Sequence, residues 1–174
     1  MSEVTMSYAP NRLVSLLLAL ALIPLVAGCG GEDGSAASSN GAETASEAAV
    51  TEITIQPVGN QMKYEQTEFT VPAGEEITIT FENTATSPAM QHNVVVLNTN
   101  DDAVVNRVGQ AGTAAADNDY VPDDDAVLAA TEMSEPGETV SVTFTAPSEP
   151  GDYRYICTFP GHYTVMQGTM TVTA

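Results

Sequence analysis

Residues 51–174 are predicted to form an all-β sandwich or barrel of about eight short strands, on three observations. Apolar residues recur there with period two, the spacing that places alternate side chains on one face of a strand. Turn signals built on Pro and Gly separate the runs. Two further apolar stretches are continuous but short, as strands covered on both faces are. Many short strands divided by such turns mean stacked or closed β-sheet, and no internal repeat suggests a solenoid or propeller.

In chain order, the alternation runs through Ile53 and Ile55, then Phe69 and Val71, then Ile77, Ile79 and Phe81. The continuous stretches 94–97 and 126–130 supply two more strands. Val140, Val142 and Phe144 resume the alternation, followed by Tyr153, Tyr155 and Cys157, and finally Met170 and Val172. Pro72-Ala73-Gly74, Glu135-Pro136-Gly137 and Glu149-Pro150-Gly151 mark turns between them. Residues 102–119 lack the alternation, and a short helix or irregular flap across the sandwich is expected there.

The amino-terminal segment is of a different kind. Residues 13–26, LVSLLLALALIPLV, follow Arg12 and precede Ala27, Gly28 and Cys29. As a helix, this run reaches about 21 Å, short of the roughly 30 Å of hydrocarbon that a span must cross. A secretory signal over residues 1–28 is therefore expected. The tetrad V-A-G-C at its end resembles the lipobox of bacterial lipoproteins, which implies that Cys29 is acylated and becomes the first residue after cleavage. Residues 30–50, GGEDGSAASSNGAETASEAAV, hold no large apolar side chain before their end and read as a flexible tether. Its root-mean-square reach is about 25 Å.

With Lys plus Arg 4 against Asp plus Glu 23, the 174-residue chain carries a formal charge of −19. A nucleic-acid binder needs a basic face to displace phosphate counterions, and four cations cannot build one. The hydrophobic fraction of 43% nonetheless suits a packed core. The acidic run Asp117, Asp119, Asp123, Asp124 and Asp125 lacks the glycine and closing glutamate of a calcium-binding loop and is read as solvated.

Only two cysteines and two histidines occur. With Cys29 lipidated, Cys157 is a lone thiol in an exported protein, and its neighbours say why. In CTFPGHYTVM, His162 follows Cys157 by five residues and Met166 follows His162 by four. A strand end, a Pro-Gly loop and the next strand can fold thiolate, imidazole and thioether onto one point. The other histidine, His92, stands at the start of the 94–97 strand, where it can meet them. Two imidazoles and a thiolate in a plane with a weak thioether axial contact suit copper cycling between Cu(I) and Cu(II). Zinc normally takes four strong ligands, and Met is not among them.

The loop CTFPGH, three residues and Met resembles the copper loop of azurin. GNQMKY at 59–64, MQHN at 90–93 and DYVPDDD at 119–125 resemble azurin-type segments in the same order. Residues 51–174 as a whole are similar to the azurin and auracyanin branch of the blue-copper cupredoxins. The resemblance implies a Greek-key cupredoxin sandwich. It also implies His92, Cys157 and His162 as equatorial ligands of one copper, with Met166 axial. Gln91 stands where azurins usually carry a glycine whose carbonyl approaches the metal, and is a second axial or outer-shell position. Asn93 and Thr158 match residues that brace the ligand loop and hydrogen-bond near the thiolate. Typical azurins also have a disulfide and a buried tryptophan, and this chain has the residues for neither in its domain.

By the same resemblance, His162 lies in an electron-transfer patch with Met90, Phe159 and Pro160. No general base or nucleophile pair remains after the ligands are assigned, and multicopper enzymes need more histidines than two, so no enzyme is expected. The function implied is a membrane-tethered carrier of single electrons between transient protein redox partners outside the cytoplasm. Copper delivery by an extracytoplasmic lipoprotein is the alternative. Such sites favour exposed Met or His clusters, against which the Cys and two-His set discriminates.

Overall fold

The computed structural model describes residues 48–174. The apolar segment, Cys29 and nearly all of the tether lie outside the described residues. Among the described residues no helix is long and apolar enough to cross a membrane.

Among the described residues eight strands form: β1 (Glu52–Ile55), β2 (Glu68–Pro72), β3 (Glu76–Glu82), β4 (Val95–Leu97), β5 (Val127–Ala130), β6 (Thr139–Thr145), β7 (Gly151–Ile156) and β8 (Gln167–Thr173). They divide into one sheet ordered β1-β3-β6 and another ordered β2-β8-β7-β4-β5. β1 runs parallel to β3 and β2 parallel to β8, while the other pairings are antiparallel. The chain crosses repeatedly from sheet to sheet, so a cupredoxin-like sandwich is closed by connections over its ends. Period two is obeyed most cleanly in β3, where Ile77, Ile79 and Phe81 are buried and their neighbours are not.

The main core lies between the sheets. Without tryptophan, it is centred on Tyr64, Tyr155, Phe69 and Phe81, with ring centroids 5.3–6.1 Å apart. These are favourable offset or edge contacts. Tyr155 has room because its cross-strand partner is Gly168, where a Cβ would stand 2.1 Å from its ring. Both buried phenols are satisfied, Tyr64 donating to the Asn93 carbonyl at 2.6 Å and Tyr155 to that of Gln66 at 2.5 Å. Burial raises the pKa of both.

A second, smaller core explains the unbroken apolar run at 94–97. Val94 and Val96 face the sandwich interior, whereas Val95 and Leu97 face outward under helix α1 (Asp102–Gly112) together with Ile156. β4 therefore has no solvent face, and a strand covered on both sides needs no polar alternation. The expected flap at 102–119 is this helix followed by a 3₁₀ turn at Ala116–Asn118. Asp101 caps α1 by accepting from the amides of Ala103 and Val104. Arg107 pairs with Asp124 at 2.9 Å and Arg154 on β7 with Asp102 at 2.7 Å. Two of the three cations among the described residues thus tie the helix to the sandwich.

Candidate metal centre

Each donor is delivered by backbone pairing. Cys157 directly follows β7, and its amide donates to the Met166 carbonyl at 3.0 Å, just before β8 begins. Between them the chain turns through Gly161, at φ +85°, into a 3₁₀ turn at His162–Thr164. A glycine is suited to that left-handed position. The amides of Val165 and Met166 both donate to the His162 carbonyl, closing the loop on itself. His92 comes from ahead of β4, paired with Ser134 through two backbone bonds of 2.8 and 3.2 Å. Buried Asn83 pins that approach by donating to the carbonyls of Met90 and Ser134, each at 2.9 Å.

The three donor atoms converge. His92 Nδ1 and His162 Nδ1 are 3.1 Å apart, and Cys157 Sγ lies 3.8 Å from the first and 3.5 Å from the second. A triangle of those sides has its equidistant point about 2.0 Å from each corner, the length of a first-row metal bond to imidazole and a little under that to thiolate. Among the described residues this is the one group of three or more His, Cys, Asp or Glu side chains able to share an ion. All three are buried.

Burial also sets their protonation. It pushes the Cys157 thiol up to about 12, against the backbone N–H groups of Asn93 and Phe159, which favour the thiolate. Burial lowers His92 to about 4, helped by His162, and lowers His162 as well. At neutral pH both imidazoles are therefore neutral, with lone pairs free for a metal, and metal loading displaces the thiol proton. His92 Nδ1, His162 Nδ1 and Cys157 Sγ present lone pairs to one point, and a cation there is the partner that satisfies all three together. The donor set fits one type 1 copper, and its softness excludes Mg²⁺ or Ca²⁺.

The brace around the triangle centres on Asn93. Its side-chain oxygen accepts from the Thr158 amide at 2.9 Å, and its nitrogen donates to Thr158 Oγ1 at 2.9 Å and to the Asp119 carbonyl at 3.0 Å. With Tyr64 on its own carbonyl, Asn93 joins four separate segments. Asn93 and Thr158 are thus bonded to each other, amide to amide oxygen and side chain to side chain, directly beside His92 and Cys157. Asp119 and Tyr120, two successive non-glycine residues with φ of 51° and 58°, turn the flap so that the Tyr120 ring packs edge-on to Phe159 at 5.2 Å. Phe159 in turn packs on His162 at 4.8 Å.

The other sequence-derived residues fall nearby in different ways. Met166 is fully buried, and its main chain is bonded to both Cys157 and His162. Gln91 directs its side chain toward Glu135, at 3.4 Å. Pro160 is exposed, Phe159 half-buried, and Met90 half-buried in a turn two residues before His92. His162 is 4% exposed, and Val165, one turn on, is 58% exposed. Sequence reasoning missed Val165, Asn83, Ser134 and the Tyr120 ring. Val165 alone left a signal, as an apolar residue breaking the polar surface of the loop. The acidic run gathers no shared ion site, and Asp124 is engaged by Arg107.

A two-sheet sandwich whose loops bury two imidazoles and one thiol around a single point defines a mononuclear copper protein of the cupredoxin type. The profile of copper binding proteins of the plastocyanin/azurin family matches residues 51–173, and the chain belongs to that family. It is 36% identical over 162 residues to Auracyanin-A of Chloroflexus aurantiacus, an alignment spanning 92% of this chain and 96% of the relative. It is 42% identical over 101 residues to the azurin of Alcaligenes faecalis, spanning 55% of this chain and 77% of that one. The crystal structure of a dithionite-reduced auracyanin from Roseiflexus castenholzii superposes with a TM-score of 0.68 at 42% identity, over 73% of this chain and all of the other.

Proposed function

We propose that this protein carries single electrons between transient protein redox partners on the extracytoplasmic side of a membrane, tethered through lipid on Cys29. Bound copper supplies the Cu(II)/Cu(I) couple. The carrying observation is that backbone and side-chain hydrogen bonds tie down each segment that presents a donor of the triangle. Donors held in this way move little when a metal between them changes charge, which is what fast electron transfer needs. His92 and Cys157 are sealed from solvent, whereas His162 is 4% exposed and packs on Phe159, with exposed Pro160 and Val165 in the same loop. These residues offer a partner a small apolar contact that is quick to form and to break.

The patch makes a direct test. Val165→Asp should slow electron self-exchange about tenfold or more while leaving the visible spectrum unchanged, because it places a charge in the contact and touches no donor. Unaltered self-exchange in this variant, measured by NMR line broadening of mixed oxidation states, would move the transfer surface elsewhere.

Met166 is assigned the weak axial position. Met166→Leu should keep the colour and raise the reduction potential, on the order of tens of millivolts, since a thioether favours the more highly charged copper and an alkyl group does not. A variant of unchanged potential in a spectroelectrochemical titration would remove Met166 from the site, and a bleached one would show that its role is more than a weak axial contact.

A further inference from the structure

Helix α1 lies against the copper loop, and two glycines stand where it comes nearest to Tyr163 and Thr158. Its buried face is Val105, Val108, Gly109 and Gly112, one stripe at i, i+3, i+4 and i+7. The two valines pack on the outer side of β4 and β7. The two glycines meet something else. A Cβ on Gly109 would stand 2.1 Å from the ring of Tyr163 and 2.7 Å from its Cβ. On Gly112 it would stand 2.8 Å from the Tyr120 carbonyl oxygen and 2.9 Å from Thr158 Cβ. Neither glycine has a positive φ, so close approach and not backbone conformation calls for it. Glycine is, after proline, the least favourable helix residue, and two within the buried stripe of an 11-residue helix are a cost that a contact must offset.

Besides Tyr120, the residues touched are the immediate successors of two donors: Thr158 follows Cys157, and Tyr163 follows His162. The helix backbone is therefore a wall set against both ends of the segment that presents the thiol and the second imidazole. The wall is fixed without reference to copper, by the Asp101 cap, the ion pairs of Arg107 and Arg154, and the valine contacts. Tyr163 is held from the far side as well, its carbonyl accepting from Gln167 Nε2 at 2.8 Å.

We propose that Gly109 and Gly112 are positioning residues for the copper loop. By admitting the α1 backbone against Thr158 and Tyr163, they set the 3.5 Å separation of Cys157 Sγ from His162 Nδ1. The proposal rests on the copper reading of the site. A side chain at either glycine drives the loop outward and opens the triangle on the His162 side.

The test compares Gly109→Ala, Ala111→Gly and Gly109→Ala in a Tyr163→Gly background, each in the full chain. Ala111 is on the exposed face of the helix. Gly109→Ala should shift the thiolate-to-copper band and the reduction potential although it raises helix propensity. In the copper-free protein it should speed amide exchange at His162 and Met166 by about tenfold. Ala111→Gly, which weakens the helix without touching the loop, should leave band and potential in place. In the Tyr163→Gly background, the Gly109→Ala shift should vanish because the obstructing ring and Cβ are gone. That double variant also carries the test if Gly109→Ala alone does not fold. The proposal is overturned if Gly109→Ala leaves band, potential and exchange unchanged, if Ala111→Gly reproduces its effects, or if the shift persists without the Tyr163 side chain. Should the parent protein form no thiolate-to-copper band, the copper reading fails, and the exchange rates still decide whether the glycines seat the loop.

Discussion

Cys157→Ser is expected to abolish the intense visible band of the copper-loaded protein, lowering absorbance near roughly 600 nm more than about tenfold. Of the three donors in the triangle, only the thiolate has electrons high enough in energy to be transferred to Cu(II) by red light. A serine hydroxyl in the same buried place stays protonated and binds copper weakly. The fold should survive, because Cys157 contributes one small side chain to a core whose bulk is aromatic and aliphatic. Far-ultraviolet circular dichroism recorded alongside the visible spectrum separates loss of the site from loss of the fold. A serine variant that stayed blue would show that another residue supplies the chromophore.

Asn93→Ala is expected to be the most destabilising single change near the site. The substitution deletes an acceptor for the Thr158 amide and donors to Thr158 Oγ1 and the Asp119 carbonyl, all at 2.9–3.0 Å. An alanine can satisfy none of them, and the Thr158 amide is left buried without a partner. The loss should be about 3 kcal/mol, or roughly 10 °C in the melting temperature of the copper-free protein. The released Asp119 carbonyl also frees the left-handed turn at Asp119 and Tyr120, whose conformation needs support from its surroundings. Thermal melting of the copper-free variant against the parent is the check, and a drop of less than about 2 °C would mean that Asn93 does not hold these segments together.

The strands were legible because one-face burial writes itself into sequence as period two. β3 follows that rule along its length, and in β8 Met170 and Val172 do, whereas β7 breaks it at Tyr155 and Ile156, which are buried on opposite faces. β4 was legible for the opposite reason, since burial on both faces leaves an unbroken run. α1 was harder. Its buried stripe is half glycine, so the hydrophobic repeat that marks a helix face is present only at Val105 and Val108. The glycines are there for the copper loop and not for the helix.

The donors were readable because their chemistry is scarce. With two histidines and one unlipidated cysteine expected in the mature chain, one constellation could use them all. The scaffold around them was not readable in the same way. Asn83, Ser134 and Tyr120 act through carbonyls, amides and ring faces that lie up to 51 residues away in sequence. No local pattern reports such a pairing, and each of these residue types is common in loops for unrelated reasons. Asn93 and Thr158 became visible only through resemblance to other copper loops, because the hydrogen bonds between them span 65 residues of sequence.

The measurement that bears most directly on the copper site is the visible spectrum of the purified protein after one equivalent of Cu(II), then after a mild reductant, then after reoxidation. A strong band near roughly 600 nm that bleaches with one electron and returns in full is the expected result for a thiolate and two imidazoles around one copper. A folded protein that takes up copper without that band, or whose band does not return, would contradict a reversible one-electron centre built on His92, Cys157 and His162.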